Sequence, residues 1–274
     1  MRDFRNKVIV VTGAGSGMGR AYAIEFAKLG AKLALNDYDK TALDETVSLL
    51  PNANAENMLT LAFDVSDKNS MFDFADKVKQ KLGNAHIIIN NAGIEGSGRP
   101  IYLTTVEEDH KIMNINYFGV VHGTKAFLPQ IVENNEGAVV NISSIFGLIG
   151  TPNNGDYCAS KFAVRGFTEA LMAEFHESKT ISIHCVHPGG IATNIARGEN
   201  GKEFGKKYLT TPPETIVKHV IESIRQKKSK IVFGNDSFKT WLGSNLVPQG
   251  ILKGIIWNEI KHVVNREEYR KFIK

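Results

Sequence analysis

Tyr157 and Lys161 stand at positions i and i+4 at the start of an apolar-faced stretch running to about Phe175. On a helix that spacing brings both side chains to one face, about one turn apart. A phenol beside an ammonium is a proton-transfer pair. The phenol has an ordinary pKa of about 10 and is a poor base at neutral pH, and a neighbouring positive charge favours its phenolate. Far upstream, Thr12-Gly13-Ala14-Gly15-Ser16-Gly17-Met18-Gly19 follows an apolar run and opens a helical pattern. Glycines let the backbone turn sharply and come close to a pyrophosphate, and a helix N-terminus offers that anion free N–H groups and the positive end of a dipole. Asp37 lies just beyond the second apolar run, where a carboxylate accepts hydrogen bonds from the adenosine ribose hydroxyls. In isolation each feature has a plainer reading: a surface helix pair, a glycine turn, a solvated turn aspartate.

The elements that must position these residues are legible as an alternation. Short apolar runs at Lys7 to Thr12, Lys32 to Leu35, Leu59 to Phe63, His86 to Ile89, Ala138 to Ile142, Ile181 to Val186 and Ile231 to Phe233 read as seven strands, the first of them rich in β-branched residues. Helical stretches lie between them, the first from Gly17 to Leu29. Strands without polar alternation, separated by helices, predict a parallel sheet covered on both faces: a single doubly wound α/β domain of the Rossmann type over residues 1–236. In such sheets ligands bind beyond the carboxyl ends of the strands, so the loops after the strands should carry the chemistry.

The glycine spacing Thr-Gly-x-x-x-Gly-x-Gly resembles that of the short-chain dehydrogenase/reductase family, and further matches follow in order. They are Asp64-Val65, Asn90-Asn91-Ala92-Gly93, Asn116-Tyr117-Phe118-Gly119, Ser144, Tyr157-Cys158-Ala159-Ser160-Lys161, and Pro188-Gly189 with Thr193. The resemblance spans Lys7 to about Gly234. It implies hydride transfer between a nicotinamide cofactor and an alcohol or carbonyl substrate, with Asn116, Ser144, Tyr157 and Lys161 as the catalytic set. In that scheme Ser144 hydrogen-bonds the reacting oxygen, Lys161 also holds the nicotinamide ribose, and Asn116 holds a water that relays the proton outward. The implied cofactor contacts are Gly13, Ser16, Gly17, Met18, Gly19, Asp37, Asp64, Val65, Asn91, Ala92, Gly93, Tyr157, Lys161, Pro188, Gly189, Ile191 and Thr193. The family answers a 2′-phosphate with a cation in the glycine loop or after the second strand. Here those places hold Ser16 and Tyr38, and Asp37 would repel a phosphate, so NAD is favoured over NADP. A homodimer or homotetramer is implied as well. The rival readings are a non-catalytic dinucleotide-binding regulator or scaffold on the same fold, and a sugar epimerase or dehydratase on a related longer fold, whose glycine spacing differs.

Composition narrows the class further. The chain has 274 residues, 42% of them hydrophobic, enough for one large domain and cramped for two. The formal net charge of +4 resides in residues 237–274, where seven Lys/Arg face three Glu, so the remaining body is neutral. A neutral body argues against nucleic-acid binding, which needs a basic face on the fold. Two cysteines, Cys158 and Cys185, are too few for a disulfide scaffold, and the polar N-terminus lacks the apolar core of a secretory signal, so the expected compartment is the cytoplasm. No metal site is expected: His184 and Cys185 point to opposite faces of a strand, and His187 has no ligand cluster beside it.

The substrate pocket is expected between Ile94 to Pro100, Ile145 to Asp156 and Ile195 to Tyr208, with Ile94, Ile145, Phe146, Leu148 and Ile149 making it apolar. Arg99 and Arg197 read as solvated. This predicts a neutral, lipophilic alcohol or carbonyl. The extension 237–274 holds both tryptophans, Trp241 and Trp257, among many aliphatic residues. The sequence ranks packing on the same domain, as a cap on the substrate pocket, or on a partner subunit above contact with an anionic membrane, because Pro248, Gly250 and Gly254 interrupt a continuous amphipathic helix.

Overall fold

The apolar runs form one sheet of seven strands, β1 (Val8–Thr12), β2 (Lys32–Asp37), β3 (Met58–Ala62), β4 (Ile87–Asn90), β5 (Gly137–Ile142), β6 (Ile181–Pro188) and β7 (Lys230–Phe233), in the order β3-β2-β1-β4-β5-β6-β7. All six pairings are parallel. The computed structural model describes residues 1–51, 54, 56–193, 205, 207–264 and 266–269. Its α-helices are α1 (Gly17–Lys28), α2 (Lys40–Ser48), α3 (Lys68–Leu82), α4 (Val106–Met113), α5 (Gly119–Glu133), α6 (Gly155–Glu174), α7 (Pro213–Arg225), α8 (Ser237–Leu246) and α9 (Gln249–Ile260).

β1 shows why these strands carry no polar alternation: every one of its residues is buried, and successive side chains serve opposite faces. Ile9 and Val11 join Tyr22 and Phe26 of α1 and Ile216 and Val220 of α7. Val8 and Val10 join Phe74 and Val78 of α3 and Phe127 and Ile131 of α5. The two cores are the two helical layers of a doubly wound fold, as the sequence implies.

Two strands run two residues beyond the ends read from the sequence. β2 continues through Asn36 and Asp37, which pair with β3, and Asn36 pairs with Thr12 of β1 as well. Asp37 therefore ends the strand instead of lying beyond it. The polar residue types hide this continuation, because the N–H groups of the buried Asn36 side chain find their shorter hydrogen bonds across the sheet, donating to the carbonyls of Leu61 (3.2 Å) and Phe63 (2.9 Å). β6 likewise continues through His187 and Pro188, paired with β7.

Strand order reverses between β1 and β4, so the loops after these two strands border the crevice where doubly wound sheets bind ligands.

Candidate active site

The loop after β1 turns on two residues with positive φ, Gly13 (65°) and Gly17 (52°). Ser16 precedes the first turn of α1, and no side chain caps that turn. Its N–H groups therefore lack a side-chain acceptor, and an anion is a natural partner for them. The packing requires glycine here: a Cβ on Gly13 would sit 2.8 Å from Ala92 Cα, and one on Gly17 3.0 Å from Thr193 Cγ2. Asn91 ties this loop to the one after β4, donating from Nδ2 to the carbonyls of Thr12 (3.0 Å) and Gly13 (3.2 Å). Thr12 Oγ1 in turn accepts the N–H groups of Asn91 (3.0 Å) and Ala92 (3.1 Å).

Asp37 reaches into the same loop from the end of β2. Its Oδ2 accepts the Gly15 N–H (2.7 Å) and its Oδ1 the Asp39 N–H (3.0 Å). A carboxylate has about four acceptor positions, so two amides leave capacity for further hydroxyls. Tyr38, next in the chain, is exposed. Arg20 was not singled out by sequence reasoning. It lies against this loop with its guanidinium engaged by the Gly15 carbonyl (2.6 Å) and by Glu45 (3.1 Å). Asp64 and Val65 follow β3: Asp64 accepts the Ser66 N–H (2.9 Å), and Val65 packs so closely on α5 that a Cβ on Gly119 would fall 2.7 Å from its Cγ2. These features make a glycine-lined cradle beside a carboxylate, and they fit a dinucleotide.

Tyr157 and Lys161 both lie on α6, as their spacing implies. Lys161 Nζ lies 5.6 Å from the centre of the Tyr157 ring and donates to the Ile142 carbonyl (3.1 Å) at the end of β5. Ser144 follows β5, and a hydrogen bond from it acts to lower the phenol's pKa. Burial prevails, however, pushing Tyr157 up to about 12 and Lys161 down to about 8. The ammonium expected to ionise the phenol is thus outweighed: in the protein alone both groups are driven toward their neutral forms, because a desolvated charge is disfavoured.

Asn116 is fully buried in a π-helical turn, Asn114–Phe118, between α4 and α5. Such turns recur at functional sites. Its amide grips the main chain of Ile94, accepting the N–H (2.8 Å) and donating to the carbonyl (3.0 Å), and also donates to Ser160 Oγ (3.1 Å). This grip brings Gly93 up to the ammonium: a Cβ there would lie 3.4 Å from Lys161 Nζ. Asp156 performs a matching task that sequence reasoning missed. Buried beside Tyr157, it accepts the N–H groups of Ser97 and Tyr157, both at 2.7 Å, and so joins the loop after β4 to the head of α6. Its only sequence signal is adjacency to Tyr157.

Tyr157, Lys161 and Ser144 open into a cavity of about 880 Å3. Met18, Asn91, Gly93, Pro188, Gly189, Ile191 and Thr193 also line it. Ile145, Phe146, Ile149 and Tyr208 line it as expected, whereas Ile94 and Leu148 do not. The Ile94 main chain is held by Asn116, and Leu148 is buried. Arg99 is paired rather than solvated, forking onto Glu108 at 2.5 and 2.6 Å. Arg197 and most of Ile195 to Tyr208 lie outside the described residues. The wall that sequence reasoning did not foresee in detail comes from α8 and α9, through Leu242, Leu246, Leu252, Ile255 and Ile256.

His184 and His187 are buried on β6 and held by main-chain carbonyls, His184 Nδ1 by Lys228 (2.7 Å) and His187 Nδ1 by Ser144 (2.9 Å). Burial lowers both to about 4. The folded pKa is below the unfolded value of about 6.5, so the unfolded chain binds more protons between the two, and stability falls as pH drops through that window. Urea denaturation at about pH 7.5 and about pH 4.5 should therefore show an acid loss of a few kcal/mol. His187→Asn should flatten the slope; an unchanged slope would remove His187 from the effect.

A family model described as "short chain dehydrogenase" matches residues 7–203. The "Putative oxidoreductase SadH" of Mycobacterium tuberculosis is 37% identical over 94% of this chain and 99% of its own length. Epidermal retinol dehydrogenase 2 of Mus musculus is 37% identical over 83% of this chain and 74% of its own. Among solved structures, a short-chain dehydrogenase/reductase from Burkholderia phymatum in complex with NAD superposes with a TM-score of 0.77 at 30% identity, covering 84% of this chain and 90% of that one. With its seven-stranded parallel sheet, its glycine cradle and these relatives, the chain belongs to the short-chain dehydrogenase/reductase family of oxidoreductases.

Proposed function

We propose that the protein interconverts a neutral, lipophilic alcohol and its carbonyl compound using NAD. The observation that carries this reading is the seating of Tyr157, Lys161 and Ser144 in a cavity walled by Ile145, Phe146, Ile149, Leu246, Leu252 and Ile256. Burying such apolar walls against a hydrocarbon substrate is favourable at roughly 25 cal/mol per Å2. Arg99, the arginine among the described residues of the wall, is already engaged by Glu108, so a carboxylate substrate would find no unpaired guanidinium among them.

When bound, the nicotinamide supplies the hydride acceptor or donor. The chain's own residues manage the oxygen and its proton. Ser144 hydrogen-bonds the substrate oxygen, and the Tyr157 oxygen takes the hydroxyl proton in oxidation and returns it in reduction. Lys161, held by the Ile142 carbonyl, positions the nicotinamide ribose and adds positive charge beside the phenol. Asn116 and Asp156 fix the loop after β4 around this group; the water relay assigned to Asn116 belongs to the same proposal.

Asp37 supports NAD over NADP. A 2′-phosphate placed against its carboxylate would meet like charge, and the nearby Arg20 is already engaged by Gly15 and Glu45. The test is a screen of NAD reduction across neutral alcohols, with NADP in parallel. Turnover with NAD at a higher kcat/KM than with NADP is expected. Asp37→Ala combined with Tyr38→Arg should move the ratio toward NADP by about tenfold or more, the worth of one charged hydrogen bond. A wild-type preference for NADP would overturn the role of Asp37. Tight dinucleotide binding with no turnover of any alcohol or ketone would favour a regulator or scaffold instead.

A further inference from the structure

Beyond β7 the chain folds into α8 and α9, two helices packed together where Leu252 approaches Gly243; a Cβ on that glycine would be 3.7 Å from Leu252 Cδ1. Leu252 and Ile256 turn inward, each 8% exposed, and line the cavity. The opposite side is not covered. Phe238 (67%), Leu242 (40%) and Leu246 (71%) form an exposed i, i+4, i+8 stripe on α8, and Ile251 (61%) and Ile255 (48%) continue it on α9. Gly250 and Gly254 next to them have nothing within 4 Å of an added Cβ, so the two isoleucines stand proud of their surroundings.

Leu242, Leu246 and Ile255 both line the cavity and are exposed outside it. They form an apolar rim continuous with an apolar interior.

We infer that this outer face of α8 and α9 docks on an anionic lipid surface and opens the cavity to lipophilic molecules held there. Charge chooses this occupant. Lys239 follows Phe238, Lys253 lies between Ile251 and Ile255, and Lys261 follows the end of α9; against these three stand Asp236, just before α8, and Glu259, paired with Lys239 at 3.7 Å. The body of the chain is neutral, whereas the segment that carries the exposed stripe has more lysines than carboxylates. Lysines interleaved with aliphatic residues are depleted from the cores of protein interfaces, but at a bilayer their stems lie among the acyl chains while the ammonium reaches the headgroups. A second copy of the chain seated on the rim would also close the cavity, whereas a lipid surface supplies it. No helix among the described residues is long and apolar enough to cross a membrane. The docking stands on this geometry alone; the uptake of substrate rests on the proposed function.

Flotation of the full-length protein with phosphatidylcholine vesicles, with and without phosphatidylglycerol, separates the two without any turnover assay. Binding to the anionic vesicles and release by salt are expected. Lys253→Gln should weaken binding by about fivefold, the share of one lysine at an anionic surface. Phe238→Ser combined with Ile251→Ser should weaken it by about tenfold or more. None of these three residues lines the cavity, so circular dichroism and NAD binding should stay unchanged and would show that the variants are folded. Three results would overturn the inference: no flotation with either vesicle, flotation indifferent to these substitutions, or a wild-type dimer that the Phe238 and Ile251 pair dissociates without any vesicle binding. The last would make this face a contact between copies of the chain.

Discussion

Tyr157→Phe should lower kcat by about 10²- to 10⁴-fold, the usual worth of a positioned general acid–base group, while NAD affinity changes by less than about twofold. The substitution removes one oxygen and little else. The Phe146 ring, edge-on to Tyr157 with centroids 6.2 Å apart, keeps its partner, and Ser144 Oγ still accepts the Phe146 N–H at 3.1 Å. Lys161 remains anchored to the Ile142 carbonyl. A fall in kcat with KM and NAD affinity preserved marks a group used only in the transition state. Initial-rate kinetics on the alcohol identified by the NAD screen, together with a dinucleotide titration, measure both quantities. Near-normal turnover would take Tyr157 out of the mechanism.

Gly19→Ala should abolish NAD binding and lower stability by about 3 kcal/mol, at the upper end of the cost of overpacking. A Cβ at this position would fall 1.8 Å from the Gly13 carbonyl oxygen and 2.8 Å from Asn91 Nδ2. Neither neighbour can move alone, because Asn91 holds the carbonyls of Thr12 and Gly13 while Thr12 holds the N–H groups of Asn91 and Ala92. One methyl group thus disturbs the loops after β1 and β4 together. Gly166→Ala is the matched control: this glycine lies exposed on α6 with nothing within 4 Å of an added Cβ. There alanine should stabilise by up to about 1 kcal/mol through helix propensity, with NAD binding intact. Thermal melts and NAD titrations on both variants suffice. Normal NAD affinity in Gly19→Ala would refute the cradle.

The succession of strands along the chain, the parallel sheet and the shared helix face of Tyr157 and Lys161 are legible in the residues alone. These rest on local pattern: β-branched runs buried on both faces in β1, β4 and β5, and a spacing of four on α6. Where the pattern failed, a distant partner had taken over. Asn36 and Asp37 read as a turn because they are polar, yet pairing with β3 and acceptors across the sheet keep them in strand. Asp156 carries no signal beyond its neighbour, since its task is set by Ser97, brought beside it by the fold. Asn116 was found by motif, but its grip on Ile94 depends on a π-helical turn that no residue type specifies. Burial, likewise a property of the assembled fold, sets the proton affinities of Tyr157 and Lys161 against the expectation from their charges alone. The extension was recognisable as apolar and basic, but periodicity could not say which residues face inward. Only the packing of α8 and α9 over the cavity turned Leu252 and Ile256 toward the site and left Phe238, Leu246 and Ile251 at the surface.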